Sequence, residues 1–544
     1  MKNHDLVLPE IRQFEKIIDD YYLSNQLTKE NFAYAAWFYS AFCEDFIVRD
    51  ALNISNLNVH QLRYTTENHT EGLKYGFKWL NDRCPKNGNL VRRYNDDHYG
   101  YAINLYKLAF DYHIFSIILT YASRGLLHLR LDREKIICDK PLYSDWEYEA
   151  YNRLTPEKQS DKFDIQDFPI RPENIQFAIH EDRFSYSYGA KTISKLKEFF
   201  KELNKGRFEL PEEWNLGKFK LKDFKAFYET IFSLCVLRFN ARLWAENYWY
   251  SNFGKIGLGF VGSIIVLDKN ELIKQLVIYS DLDEKIVLSI FDYLTYGSNN
   301  IRNTEPAIQP FIELNNHQIA IIPSLIISYA AERNLIVLLN KLPDERQIYL
   351  SLVDEKEDLM IQKLSGEIDH LSIRFENKIQ LNKYLPDIDC ALIDDTNKIC
   401  CIIEFKWFIE PSEVRELIEK STELNRGIDQ LLLLKNDSNA NQIVIEKLKI
   451  HFSYKLNYLL VSANWIGNAD VQHADMPIIS EKIFLKKIKA SNNLIETIDW
   501  LNSRSYLPKE GTHFEIEEID SKIGKWSFNW YAINPLISDV FDPI

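Results

Sequence analysis

Apolar residues recur at helical spacing through the first ~130 residues of this chain. Ile11, Phe14, Ile17, Ile18, Tyr21 and Tyr22 mark one face of a helix over 8–25. Thr28 stands where an N-cap belongs, which predicts a second helix over 31–43, and an aromatic-rich stretch predicts a long helix over 99–129. From 139 to 215 the pattern breaks around Pro141, Pro156, Pro169, Pro172 and Pro211, which predicts a loop-rich connection with short strands. Helical spacing returns over 222–249, 284–296 and 322–342, with a short β-rich run at 264–267. Leu342-Pro343, followed by Asp344-Glu345-Arg346, marks the main boundary. Beyond it the pattern predicts a helix over 354–364, strands at 389–393 and 399–406, helices starting near Pro411 and Gly427, and a strand at 458–461.

This order describes an α+β multidomain chain. A helical region covers 1–138 and a mixed, mainly helical region 139–343. An α/β sandwich with a central mixed sheet covers 344–490, and an extension follows over 491–544.

Candidate chemistry concentrates in two apolar runs flanking a polar turn. Pro386-Asp387-Ile388-Asp389 opens the first run, Asp394-Asp395-Thr396-Asn397-Lys398 makes the turn, and the second run ends in Glu404-Phe405-Lys406. Such runs read as a β-hairpin, and strands apolar on both faces belong inside a covered sheet. A turn centred between Thr396 and Asn397 sets Asp389 opposite Glu404 and Asp387 opposite Lys406. The period of two then points all four side chains to one face. Opposed Cβ atoms lie about 4.5–5.5 Å apart. Two carboxylates that close repel unless a cation joins them, and hard divalent cations take oxygen ligands. A lysine beside them is placed to steady a developing anion.

The string Pro-Asp-x-Asp, the hairpin and Glu-Phe-Lys resemble the PD-(D/E)xK nuclease superfamily, whose fold is called restriction-endonuclease-like. The resemblance covers about residues 346–490. It implies a restriction-endonuclease-like sandwich, an Mg²⁺ or Mn²⁺ cofactor, Asp389 and Glu404 as metal ligands and Lys406 as the catalytic lysine. The literal Pro-Asp pair ends in Asp387, whereas the register favours Asp389, so Asp387 stays among the metal candidates. Members of the superfamily also carry a Glu on the helix before the hairpin, which Glu357 matches, with Met360 and Leu364 continuing a buried stripe. Some carry a Gln on a later helix, which Gln430 matches. The resemblance implies a metal-dependent DNA endonuclease controlled by its N-terminal region, with prokaryotic antiphage defence as a setting. Two alternatives stay open: a non-catalytic interaction protein on a nuclease-like scaffold, and a nuclease that cleaves RNA.

Composition narrows the partners. Lys and Arg number 65 against 79 Asp and Glu, a net charge of −14, so a nucleic acid must be met by a local patch on an acidic body. Lys482, Lys486, Lys487 and Lys489 form the candidate nucleic-acid patch. The N-terminal region is the place for a protein partner or a second copy. Seven cysteines without a CxxC pair fit a reducing compartment. No apolar run reaches the ~20 residues a membrane helix needs, so a cytoplasmic protein without a membrane partner is expected. Glu376-Asn377-Lys378 repeats the Glu-x-Lys spacing without an acidic strand before it. Gly257-Leu258-Gly259-Phe260-Val261-Gly262 matches a dinucleotide-binding pattern but precedes a strand rather than a helix. Neither is assigned a role, and the scattered histidines lack metal-ligand spacing.

Overall fold

The structure is a computed structural model of the whole chain. It describes residues 16, 20–52, 59–123, 127–138, 146–154, 170–180, 183–203, 208, 210–253, 260–301, 304–315, 317–328, 330–342, 345–409, 411, 414–468, 471–523 and 526–536. Most of the expected helix over 8–25, Pro343 and Asp344 of the expected boundary, and Gly257 and Gly259 lie outside them.

The architecture is α+β, and the chain divides into two compact units, each discontinuous in sequence. One comprises Leu8–Phe115 and Ser160–Tyr349 and is mainly helical. Its first long helix, Phe32–Leu52, is capped by Asn31, whose side chain accepts from the Tyr34 amide at 3.0 Å. Thr28, the expected cap, lies in a 3₁₀ turn over Gln26–Lys29 and donates to the Asn25 carbonyl at 2.7 Å. The expected helix over 222–249 runs over Leu221–Phe253. The span 322–342 splits into Pro323–Ile327 and Ala331–Lys341. A three-stranded antiparallel sheet joins Ile265–Asp268, Gln318–Ile321 and Ile312–Asn315.

This unit holds an ionic cluster around buried Asp45 and Arg242. Asp45 accepts from Arg242 at 2.6 Å, Arg49 at 2.9 Å and the Tyr99 hydroxyl at 2.8 Å. Beside it, Glu44 takes the Ser324 amide at 3.1 Å, and burial pushes its carboxyl up to about 7.

The second unit comprises Ser116–Gln159 and Leu350–Ile544. The compact units therefore do not follow the chain order of the four expected segments. The helix expected over 99–129 spans Asp96–Ser123, and the chain then makes an antiparallel hairpin of Leu129–Asp132 and Lys135–Cys138. The labelled elements of this unit are α1 (Arg346–Glu367), β1 (Arg374–Ile379), β2 (Ile388–Asp394), β3 (Ile399–Lys406), α2 (Val414–Asn436), α3 (Ser438–Lys447), β4 (Lys455–Ser462), β5 (Ile478–Ser480), α4 (Glu481–Ala490), α5 (Leu494–Asn502), β6 (Phe514–Ile523) and β7 (Trp526–Pro535).

Strands β5-β4-β3-β2-β1 form one five-stranded mixed sheet, antiparallel across β1, β2 and β3 and parallel across β3, β4 and β5. Its centre is dry: Cys390, Ala391, Leu392, Ile393, Cys400, Ile402 and Ile403 are fully buried. A second sheet pairs β7 with β6 and, in parallel, with Lys135–Cys138. The extension beyond 490 thus shares its sheet with residues 129–138. The two helices expected near Pro411 and Gly427 are one, α2, with Gly427 in its interior. Among the described residues, no helix is long and apolar enough to cross a membrane.

Candidate functional site

The β2–β3 hairpin sets the site. Its turn is held by Asp394, whose carboxylate accepts from the Asn397 amide at 2.9 Å and the Asn397 side chain at 2.8 Å. Lys398 closes the turn at a φ of 54°. The register follows the expected one, from Ile399 opposite Asp394 to Ile403 opposite Cys390. One step further the side chains take over. Asp389 accepts the Phe405 amide at 2.7 Å, a donor the ladder leaves open at the strand end.

Three of the expected residues meet Lys406 here. Glu404, buried, holds the Lys406 ammonium on Oε1 at 2.5 Å. The two lie two positions apart on one strand and so share a face. Glu357 comes from α1, where Met360 and Leu364 anchor the helix in the core, and its Oε1 accepts the Trp407 amide at 3.0 Å. Each carboxylate thus has one oxygen fixed by an amide or by Lys406. Among the described residues the second oxygen of each has no hydrogen-bond partner.

The electrostatics follow from burial. Desolvation and then the Asp389 charge push Glu404 up to about 7, against the pull of Lys406. Desolvation likewise pushes Glu357 up to about 7, against Lys406 and the Trp407 amide. Asp389 is raised by burial, against the Phe405 amide and Lys406. Burial works to discharge Lys406, but Glu404, Glu357 and Asp389 outweigh it and hold the ammonium above its usual range.

This donor set suits a hard divalent cation: all oxygen, pre-oriented, and short of positive charge. Asp389, Glu404 and Glu357 would hold it. Among the described residues no three His, Cys, Asp or Glu side chains already stand close enough to enclose an ion. Asp387, the other metal candidate, is exposed on the loop entering β2.

Helix α2 covers this end of the hairpin through Gly427. A Cβ there would meet Leu460 Cδ1 at 2.7 Å, Lys406 Cε at 3.3 Å and Glu404 Cγ at 3.6 Å. The glycine lets a helix backbone lie directly over the charged pair. Gln430 lies three positions on, on the same helical face by spacing, and makes no hydrogen bond to the cluster. Sequence reasoning missed Gly427, reading it as a helix start. An isolated glycine among strong helix formers was the available signal.

The four candidate lysines fall on α4 but not on one strip. Lys482, Lys486 and Lys489 follow one helical face, whereas Lys487 points elsewhere, paired with Glu496 at 2.8 Å. Lys489 pairs with Glu367 at 2.9 Å. Glu376 and Lys378, the second Glu-x-Lys, fall on edge strand β1. There Glu376 pairs with Arg374 at 3.2 Å and Lys378 with Asp358 at 2.8 Å. Comparison with known protein families, curated proteins and solved structures finds no match to this chain.

Proposed function

We propose that this chain is a metal-dependent phosphodiesterase of restriction-endonuclease-like fold that cleaves nucleic acid, with DNA as the expected substrate. The observation that supports it is the meeting of Asp389, Glu404, Glu357 and Lys406 at one end of the hairpin, each carboxylate with one oxygen tethered and one left over.

Each residue then has a task. Asp389 and Glu404 hold Mg²⁺ or Mn²⁺, and Glu357 adds an oxygen while its link to Trp407 fixes the chain just past Lys406. A divalent cation held there supplies a more acidic water and charge compensation at the scissile phosphate. Lys406 brings a fixed ammonium to the charge that builds on the phosphate oxygens, a contribution of roughly 10²–10³ in rate at comparable sites. Glu404 and Glu357 keep that ammonium protonated. The buried strands behind the site exclude water from one side.

Plasmid, linear duplex and single-stranded DNA offered to the full chain with Mn²⁺ test this reading. Cleavage is expected that EDTA abolishes and that Lys406→Ala reduces by roughly 100-fold or more. Undiminished cleavage by Glu404→Ala, or none by the parent protein on any substrate, contradicts it.

A further inference from the structure

Beside the site lies a recess of about 500 Å³, lined by Gln380, Leu381, Asn382, Lys383, Leu385, Asp387 and Lys447. Its volume falls within the range that small ligands fill. Five of the seven lining side chains are polar, and two lysines stand against one acid in a chain of net −14. Asp387 ties it to the site, since it is two residues from Asp389.

The rim of this recess is built rather than loose. The Asn382 side chain accepts the Tyr384 amide at 2.8 Å, and the Leu385 amide donates to the Asn382 carbonyl at 3.2 Å. Leu381, buried, pins the turn to the core. Tyr384 stands at its tip, 79% exposed, with the Lys383 ammonium 4.7 Å from the ring centroid. A large aromatic ring held in water by a hydrogen-bonded turn, with a cation against it, presents a flat apolar face beside a positive charge. That pairing suits a nucleobase joined to a phosphate.

We infer that this turn and the recess beside it seat one unstacked nucleotide of a single-stranded nucleic acid, its base against Tyr384 on the turn and its phosphate at Lys383, which lines the recess, adjoining the strand at the carboxylate cluster. The inference rests on the phosphodiesterase reading. A base inside a duplex has both faces covered by its neighbours and cannot meet Tyr384, so the recess selects single strands or unpaired ends. Stacking on an aromatic face tolerates every base, which makes the seat independent of sequence.

Fluorescence anisotropy in EDTA, where cleavage cannot occur, tests it on the full chain with a 15-nucleotide oligothymidylate and a blunt duplex of equal length. The single strand is expected to bind more tightly than the duplex. Tyr384→Ala should weaken it roughly 5- to 100-fold, and Tyr384→Phe should stay within about twofold. Lys383→Ala should lower the slope of log affinity against log salt by about 0.7, the share of one phosphate on a single strand. Parent-like binding by Tyr384→Ala, or a duplex bound more tightly than the single strand, overturns the inference. Because binding is read without cleavage, loss of the phosphodiesterase reading with the Tyr384 dependence intact leaves a single-strand seat standing.

Discussion

Gly427 lets helix α2 approach Lys406 closely. An interior glycine costs a helix about 1 kcal/mol relative to alanine. Here it lies among Leu424, Ile428, Leu431 and Leu434, the buried face of α2. A Cβ at 427 would come within 3.3 Å of Lys406 Cε, so the lysine must give way by a few tenths of an ångström. The same Cβ overlaps fully buried Leu460 Cδ1 at 2.7 Å, an overpacking that costs about 1–3 kcal/mol and offsets the helix propensity gained, so Gly427→Ala is expected to leave thermal stability level or lower it modestly while cleavage falls roughly ten- to hundredfold, the penalty for a misplaced reacting group. A melting curve beside the nicking assay separates the two effects. Parent-like cleavage by Gly427→Ala would show that the approach of the helix does not position the lysine.

At the scale of elements, the sheet end depends on a segment far away in sequence. Tyr151 shares a 2.6 Å hydrogen bond with the Ser480 hydroxyl at the end of β5. Asn152 donates to the Gly467 carbonyl at 2.9 Å and accepts the Ile466 amide at 3.0 Å. Asn152→Ala leaves two buried backbone groups unmatched and is expected to destabilise this unit by about 2–6 kcal/mol, at about 1–3 per group. Chemical denaturation followed by far-ultraviolet circular dichroism checks it, and a loss under about 0.5 kcal/mol would count against the role of the segment. The hairpin and its register were legible because local patterning decides them, through apolar runs and a turn, whereas Glu357 matched a family pattern and helical spacing with Met360 and Leu364 set only its face. Strand β1 was not, since Arg374, Glu376, Asn377 and Lys378 give an edge strand no apolar alternation. The shared unit was not legible either. Parallel pairing of Ser527 with Lys135 joins positions that no local pattern connects. Gln430 matched a family pattern, and spacing alone sets its face.

For the whole molecule, an acidic body of net charge −14 leaves nucleic acid few places to bind, which makes a local cation site the centre of the account. Both units contain carboxyls that burial holds at about 7: Glu44 in one, Glu357 and Glu404 in the other. A raised carboxyl favours the fold below its ordinary value, and that contribution is lost as pH rises through about 7. Melting against pH therefore adds the two units together and cannot isolate the hairpin. Cation uptake can, because the ligands must shed their protons to bind. The most direct measurement is calorimetry of Mn²⁺ binding to the full chain at pH 8 and pH 6, with Lys406→Ala and Glu404→Ala alongside. The parent is expected to bind Mn²⁺ at pH 8 and at least about tenfold more weakly at pH 6, as protons occupy Glu404 and Glu357. Lys406→Ala should bind as well as the parent or better, and Glu404→Ala should not bind. Absence of Mn²⁺ uptake by the parent at pH 8, or equal uptake by Glu404→Ala, would contradict the account.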